Sequence, residues 1–533
     1  MKPDTAARKV TIEQHKRFSQ SALWRMQREY FDKEGINAWV NQVPFYITSN
    51  PFIANCYALI VLAFMKDWTK KYPDSKNHTF YIMELGTGSG RFSYYFVKTL
   101  DEMLKKLGIH DIKFCYIMSD FTKHNIKYWE THPTLKPFLD RGLIDFALYD
   151  METERPLTLI RQNLRLSPDV LVNPLVAFAN YIFDTISHDS FTVHEGKLYE
   201  LLFSLSTDES NMENNRPVDM EKINVDYNIH EIKNPSYYGD PALDSILEDY
   251  KQKFTSTSFL FPVGSFNAIK LLRKLSNNKL MIISTDKGYG TIPHLDNLGH
   301  PAISFHGSFS MMVNFHAIGE YFKNIGGYSF LQTSRRGIRT SVFGIGLDMD
   351  DLIETSYAIE KHVEQFSPSD YFTLHSRIRD HYEDYALDTI AAHMEFALWD
   401  PHIYLKISPR ITSLLSEGDT ETLEFMAKNM PRLADNYYYM PKTECILFEI
   451  GVFFHAIKDY KNALEYYKKA KEYVGNQFGL FYNMALCEHH LKDNAAALVT
   501  FKHALELDPE SKETQEWIEF IEKALAGGPE TKE

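Results

Sequence analysis

Four cysteines in 533 residues, Cys56, Cys115, Cys445 and Cys487, are too few and too scattered for a disulfide framework. None sits in a CxxC pair, which argues against a structural zinc site as well. Positive charge is also short: 57 Lys and Arg against 71 Asp and Glu leave a net −14. Phosphate neutralisation, the main source of non-specific nucleic-acid affinity, therefore has little to draw on, and no nucleic-acid partner is expected. Long apolar runs are missing too. The longest, Cys56 to Met65, is about half the ~20 residues of a membrane-spanning helix. The opening MKPDTAARKVTIEQHKRF lacks the apolar segment of a secretory signal. The resulting expectation is a cytoplasmic protein with reduced thiols, no membrane insertion, and proteins or peptides as partners.

What is abundant is core material. Hydrophobic residues make up 44% and aromatics 14%, and at roughly 150 residues per domain the length allows two or three domains. From about residue 44 to 200, short apolar runs alternate with longer amphipathic ones, the pattern of a parallel sheet covered by helices. Phe80–Met83 and Phe114–Met118 are unbroken apolar stretches, as strands buried on both faces should be. Arg91 to Leu107 is long enough for a crossover helix between them, and Leu171 to Ile182 reads as a further strand and turn. Residues 205–240, rich in Asp, Glu and Asn, read as a polar insertion or long loop. Apolar order returns at Leu280–Ile283 and in an amphipathic helix, Phe315 to Ile325, closed by Gly326-Gly327.

The last ninety or so residues repeat. Asp459-Tyr460 recurs as Asp493-Asn494 at a spacing of 34, the tetratricopeptide period. In the same register lie Gly451 and Ala485, Ala463 and Ala497, Tyr467 and Phe501, and Ala470 and Ala504, with Pro509 closing the second repeat. Small residues suit the close approach of paired helices. Residues 412–440 are expected to stack on one side and Ser511 to Leu525, with Trp517, to cap the other. Glu488-His489-His490 in a repeat helix has no third ligand at useful spacing and reads as a solvated face.

The sharpest local feature is Tyr81-Ile-Met-Glu-Leu-Gly-Thr-Gly-Ser-Gly90, a strand running through Gly86-x-Gly88-x-Gly90 into a helix. Such glycines allow positive φ and close approach of a ligand to the backbone. Arg91 stands where a dinucleotide fold places its third glycine, and no GK[ST] follows, so NAD and a Walker loop are both disfavoured. Glu84, ending the strand, is placed to face the ammonium of a bound amino acid, and Asp120, ending the next, to grip ribose hydroxyls. S-adenosyl-L-methionine carries both groups. A tight turn without a ligand is the alternative reading.

These residues also carry a family resemblance. The chain resembles the MidA family of class I S-adenosylmethionine-dependent methyltransferases, which includes a mitochondrial arginine methyltransferase that helps assemble respiratory complex I. The likeness spans roughly residues 25 to 350. Phe45 to Ala54 is similar to the family's "ITSPEIS" segment, Glu84 to Gly90 to "ELGPGRG", and Ala179 to Ile186 to "ANEFFDALP". Gly307 to Phe315 and Leu331-Gln332 resemble the later "DITAHVDF" and "TQ" blocks. The resemblance implies an α/β, Rossmann-like class I methyltransferase fold with insertions over 44–400, including the polar insertion at 205–240. Around it stand a helical extension over 1–43, a helical linker over 401–440, and an all-α tetratricopeptide region with its capping helix over 441–533.

It also implies roles. Glu84, Gly86, Gly88, Gly90 and Asp120 would hold the cofactor; Asn180 and Asp184 would be catalytic; Thr48, Ser49 and Asp286 would meet the substrate, Asp286 from a loop resembling the family's "DYG". His188 is a further acceptor-side candidate, a solvated residue being its plainer reading, and Arg91 could meet the cofactor's carboxylate or point away. Arg335-Arg336 with Arg339 reads as an ion-paired surface or a small basic patch. The departures fall on the acceptor side: the family's Glu after Asn180 is Tyr181, and its later Asp, His and Asp are Ser308, Met312 and Asn314. A guanidinium acceptor needs a planar carboxylate pair to match its fork, and Tyr181 removes one carboxylate. The expected function is methylation of a protein side chain, arginine or another nitrogen, with the repeats recruiting substrate or partner. The rival is a noncatalytic adaptor that keeps the fold.

Overall fold

The computed structural model describes residues 8–38, 46–212, 218–332, 338–416, 418–441 and 443–527. The chain divides into two compact units, Met1–Phe372 and Thr373–Glu533. The division falls ahead of the boundary expected at 400, because the helix Leu387–Phe396 packs with the helices after it.

The first unit is built on a sheet whose main path has seven strands: β1 (Phe80–Glu84), β2 (Phe114–Asp120), β3 (Ile144–Leu148), β4 (Leu175–Phe178), β5 (Leu280–Tyr289), β6 (Tyr328–Leu331) and β7 (Ile338–Ile345). Every residue of β1, β2, β4 and β7 is buried, which explains the apolar runs Phe80–Met83, Phe114–Met118 and Leu175–Phe178, while β7 also buries Arg339, Thr340 and Ser341. The spatial order is β3-β2-β1-β4-β5-β7-β6. The first five strands run parallel, and β7 pairs antiparallel with both β5 and β6. This is the order of the class I methyltransferase fold. The chain moves outward from β1 to β3, then restarts at β4 on the other side of β1. That reversal opens a crevice beyond the carboxyl ends of β1 and β4, where doubly wound sheets take their ligands.

The helices that position the site are α1 (Ala22–Glu34), α2 (Pro51–Lys71), α3 (Arg91–Lys106) and α4 (Lys123–Glu130). Asn50 caps α2, its Oδ1 accepting from Ile53 N at 3.0 Å, and Pro51 supplies a first residue that needs no donor. The helical stretch Tyr46–Lys71 is apolar and long enough to cross a bilayer. Sixteen residues of α2 are buried within the unit, and the helix packs against α3.

A second sheet was not visible in the sequence pattern. It is antiparallel and joins Lys9–Lys16, Asp189–His194, Lys197–Asp208, Asn224–Glu231 and Ser256–Phe261. Two expectations are corrected by it. The N-terminal extension opens with a strand before its helix, and the polar stretch at 205–240 contains a strand, residues 213–217 lying outside the described residues. Asn224–Glu231 alternates Val225, Tyr227 and Ile229 with polar neighbours and is largely exposed, so its composition imitates a loop. Between this sheet and the hairpin Ser304–Ser310 lies a cluster containing Phe18, Leu23, Trp24, Phe203 and Phe309. It holds α1: Trp24 Nε1 donates to Phe18 O at 2.7 Å and Gln27 Nε2 to Phe309 O at 2.6 Å.

The second unit is all helix: α5 (Leu387–Phe396), α6 (Pro401–Leu414), α7 (Thr420–Asp435), α8 (Ile446–Ala456), α9 (Tyr460–Val474), α10 (Phe478–His490), α11 (Asn494–Leu507) and α12 (Lys512–Leu525). The repeated aspartates are N-caps. Asp459 Oδ1 accepts from Asn462 N at 3.2 Å and Asp493 Oδ1 from Ala496 N at 3.0 Å. The residue before each, Lys458 or Lys492, turns the chain with φ of 65° or 68°. Ala463, Ala470, Ala485, Ala497 and Ala504 are fully buried between helices, and Trp517 of α12 stacks on Phe501. Glu488 and His489, read as a solvated face, are instead buried, His489 Nδ1 lying 2.7 Å from Asn494 Oδ1.

A histidine pair makes this unit acid-sensitive. His375 Nδ1 and His393 Nε2 lie 3.2 Å apart, both buried. Burial, reinforced at His375 by the neighbouring imidazole, pushes their pKa values down to about 3 and about 4. Both folded values lie below the unfolded one, so the stability is complete above about pH 6.5 and declines as pH falls towards 4. The helical melting temperature should drop between about pH 7 and pH 5, and His393→Gln should flatten that slope. A transition indifferent to pH in this window would refute the buried pair.

Candidate functional site

The glycine turn after β1 is pinned from both sides. Leu85 N donates to Phe178 O at 2.9 Å, Thr87 N to Ser119 O at 2.8 Å, and Trp129 Nε1 of α4 to Gly88 O at 3.0 Å. Gly86, Gly88 and Gly90 have φ of 60°, 59° and 82°, in the left-handed region that excludes most side chains. A Cβ on Gly86 would stand 2.3 Å from Ile182 Cδ1.

Asp120 ends β2 beside this turn. Its Oδ1 accepts from Thr122 N at 2.9 Å and Thr122 Oγ1 at 3.1 Å; its Oδ2 accepts from Asn125 Nδ2 at 2.8 Å and from Gly88 N at a weak 3.4 Å. The carboxylate thus ties the turn to β2 and to the start of α4, its weakest contact being the one from Gly88 N to Oδ2.

Glu84 behaves differently. It accepts hydrogen bonds from Ser93 Oγ and, at 2.9 Å, Tyr116 OH, beneath the turn and away from the hollow. Burial pushes its carboxyl up to about 7 against the pull of those two hydroxyls. Because the folded value exceeds the usual 4.5, stability is complete below that pH and is lost as pH rises through 7, by on the order of 3 kcal/mol. Glu84→Gln should remove this alkaline loss, so its melting temperature at about pH 8 should exceed that of the parent. A variant with the parent's pH dependence would contradict the buried carboxyl.

Beyond the turn lies a hollow of about 1090 Å³, open solvent at its mouth included. Gly86 and Asp120 line it, as do Phe121 and Thr122 after β2, Tyr149 to Glu152 after β3, and Tyr181, Ile182, Asp184, Thr185 and Ile186 after β4. Sequence reasoning missed a whole wall: Trp24, Gln27, Arg28 and Phe31 of α1. Arg28 Nη2 contacts Asp150 Oδ2 at 2.6 Å, Nη1 reaches Glu152 Oε2 at 3.4 Å, and the guanidinium carbon lies 4.6 Å from the Phe121 ring centre. Glu152 Oε1 accepts from Ser187 N and Oγ at 3.1 and 2.6 Å, so one carboxylate joins α1 to the loop after β4. No local signal marked this wall in advance, since α1 carries Arg25 and Lys33 as well as Arg28.

Of the residues singled out from sequence, Gly86, Asp120 and Asp184 come together on the hollow, whereas Glu84, Gly88, Gly90, Thr48 and Ser49 do not line it. Asn180 lies just behind, its Oδ1 accepting from Tyr57 OH at 2.7 Å and Thr285 N at 3.1 Å. Asp286 is within β5, not a loop, and is wholly buried. His188 is also wholly buried, Nε2 lying 2.7 Å from Phe183 O, and burial pushes its pKa down to about 4, so it is neither solvated nor on the wall. Arg91 is half-buried at the start of α3 and absent from the wall. Arg339 is buried, donating to Gly288 O and Gln332 O at 2.8 and 2.6 Å; its proposed surface companions Arg335 and Arg336, like Phe45, lie outside the described residues.

The end of β4 carries unspent polar capacity. Asn180 Nδ2, Tyr181 OH and Asp184 Oδ1 are buried with no hydrogen-bond partner. Tyr181 holds φ at 52°, a strained value for a bulky side chain. Burial raises the Asp184 carboxyl above the usual carboxylate range, and Asp286 is held well above it by burial and the neighbouring Asp184 charge. Lys287 and Ser308 complete this side of the wall.

Comparison with known proteins adds two findings. The tetratricopeptide repeat family matches residues 446–473 and 478–511, within the helical unit. Among solved structures, the chain is similar to a candidate methyl transferase from Burkholderia thailandensis bound to S-adenosyl-homocysteine, at 12% identity and a TM-score of 0.38, over 66% of this chain and 85% of that one. It is also similar to a native structure of an uncharacterized protein of the same superfamily and organism, at 10% identity and a TM-score of 0.33, over 65% of this chain and 90% of that one. Superpositions this loose carry no weight of their own; the strand order defines the fold. No curated protein sequence matches the chain.

Proposed function

We propose that the first unit binds S-adenosyl-L-methionine and transfers its methyl group to a nitrogen of a protein side chain, arginine being the acceptor implied by the MidA resemblance. The observation that carries this reading is the hollow at the strand reversal, floored by Gly86 at positive φ and edged by the Asp120 carboxylate. The residues fit the group. A side chain at Gly86 would fill the approach, a ribose hydroxyl could replace the weak 3.4 Å contact of Gly88 N on Asp120 Oδ2, and Trp24, Phe31, Met151 and Ile182 supply apolar walls.

Bound there, the cofactor supplies an electrophilic methyl on a sulfonium. The chain's own task is chiefly positioning, which can contribute ~7–11 kcal/mol. Asp120 fixes the ribose end, Gly86 allows close approach, and Tyr181 and Asp184 offer the unpartnered hydroxyl and carboxyl oxygen that would orient the acceptor. The tetratricopeptide helices would recruit the protein substrate or a partner, since such repeats commonly hold peptides.

A noncatalytic adaptor is the second reading, favoured by Tyr181 standing where the resembled family has Glu. Calorimetry of the full chain with S-adenosyl-homocysteine tests the cofactor site: saturable one-to-one binding supports it, and no heat up to millimolar ligand overturns it. Radiolabelled cofactor with cell lysate then separates the readings. Labelled protein supports the enzyme, whereas binding without label in any fraction supports the adaptor.

A further inference from the structure

The wall that β4 and β5 contribute to the hollow holds three polar side chains with unspent bonding capacity. Tyr181 OH and Asp184 Oδ1 are buried with no hydrogen-bond partner, and Lys287 Nζ has neither a hydrogen bond nor an ion pair among the described residues. All three residues line the hollow. The other charges on its wall are committed. Arg28 is engaged with Asp150 and Glu152, and Asp120 with the glycine turn and the start of α4. His306 lies 3.2 Å from both Ser308 Oγ and Ser310 Oγ.

Backbone clamps from β5 place these groups. Tyr181 N donates to Thr285 O at 3.0 Å and Thr285 N to Asn180 Oδ1 at 3.1 Å, which holds Tyr181 at its positive φ. Asp184 N and Lys287 N donate to the two oxygens of Asp286 at 3.1 and 2.8 Å, so one carboxyl sets Asp184 beside Lys287. Asp286 itself is wholly buried and does not line the hollow. A ligand there meets one unpartnered carboxyl oxygen, one hydroxyl and one ammonium.

A guanidinium has five donors and no acceptor, and its fork is matched by two carboxyl oxygens. Here it would find one, and would face the Lys287 ammonium, which has nothing to accept with. A lysine ammonium, also a cation with donors only, meets the same mismatch. A primary carboxamide is neutral and carries both kinds of group: its oxygen can accept from Tyr181 OH and Lys287 Nζ while its N–H donates to Asp184 Oδ1. The match holds whether Asp184 is ionised or protonated, because a carboxylic acid and a carboxamide also pair donor to acceptor. We propose that the methyl acceptor is the side-chain carboxamide of a protein glutamine or asparagine, held by Tyr181, Asp184 and Lys287. The inference rests on the methyltransferase reading of the hollow. In the transfer, the lone pair of the amide nitrogen forms the bond to the methyl carbon, the carbon–sulfur pair stays on sulfur, and one N–H proton leaves to water. The products are an N-methyl amide, S-adenosyl-homocysteine and that proton.

The test is strong-acid hydrolysis of lysate protein methylated by the full chain with radiolabelled cofactor. Acid cleaves an N-methyl amide to volatile methylamine but leaves methylated guanidinium and amino groups on their amino acids, so volatile label is expected. Tyr181→Phe keeps the ring and removes the donor. It should lower the volatile label by about tenfold or more, with S-adenosyl-homocysteine affinity preserved as the control for folding. Saturation-transfer NMR on the chain loaded with S-adenosyl-homocysteine should show contact with N-acetyl-glutaminamide and none with N-acetyl-argininamide. Label retained in methylarginine or methyl-lysine, a Tyr181→Phe protein as active as the parent, or the reverse order of the two NMR probes would overturn the proposal. Failure to bind S-adenosyl-homocysteine would instead sink the methyltransferase reading.

Discussion

Asp120→Ala is expected to weaken S-adenosyl-homocysteine binding by about 100-fold or more, the equivalent of about 2.7 kcal/mol. Two effects add. A charged acceptor is lost where a ribose hydroxyl would bond, and a bond to a charged group contributes about 1.5–3 kcal/mol. At the same time the donors at Gly88 N, Thr122 N, Thr122 Oγ1 and Asn125 Nδ2 lose their common acceptor, which frees the glycine turn. Asp120→Asn keeps the shape and one acceptor oxygen and should fall between. Glu84→Gln, only thirty-six residues away, should leave affinity nearly unchanged because Glu84 faces Ser93 and Tyr116. Calorimetry on variants whose circular dichroism matches the parent decides the matter. Parental affinity in a folded Asp120→Ala protein would remove the hollow's assignment.

The second large effect concerns the helical unit. Gly451 lies inside α8, where replacement by a residue with a side chain ordinarily adds up to about 1 kcal/mol of helix stability. Here the sign should reverse. A Cβ on Gly451 would stand 2.5 Å from both Cδ1 and Cε1 of Tyr467. That ring is 1% exposed and lies 5.5 Å from the Phe448 ring, so it has no room to retreat. Gly451→Val should cost about 3 kcal/mol or more by overpacking, seen as an early loss of the helical signal on heating. Gly479→Ala is the control: its Cβ would meet nothing within 4 Å, and the change should be neutral or mildly stabilising. Equal stability of Gly451→Val and parent would mean that α8 and α9 do not approach as described.

The elements legible in advance were those whose signal is local or periodic. The unbroken runs Phe80–Met83 and Phe114–Met118 read as strands buried on both faces, and Gly86-x-Gly88-x-Gly90 marked the turn between strand and helix. The repeat at a spacing of 34 survived because each recurring Asp caps its own helix, a contact made within three residues. The strand Asn224–Glu231 escaped because its stability comes from the ladder to Lys197–Asp208, leaving its own side chains free to be polar. Glu84 and Asp120 looked equivalent as carboxylates ending adjacent strands; their orientations differ because Tyr116 and Ser93 capture one while the turn and α4 hold the other.

The chain's own order of residues thus determined the parallel core, the glycine turn and the repeat, since short-range sterics and periodic burial act within a few residues. The three-dimensional fold decided which carboxylates meet the hollow, that α1 walls it through Arg28, and that Asp184 contacts Asp286 across a separation of 102 residues. Those facts depend on partners brought together by sheet order, and no local propensity encodes a neighbour that lies on another strand.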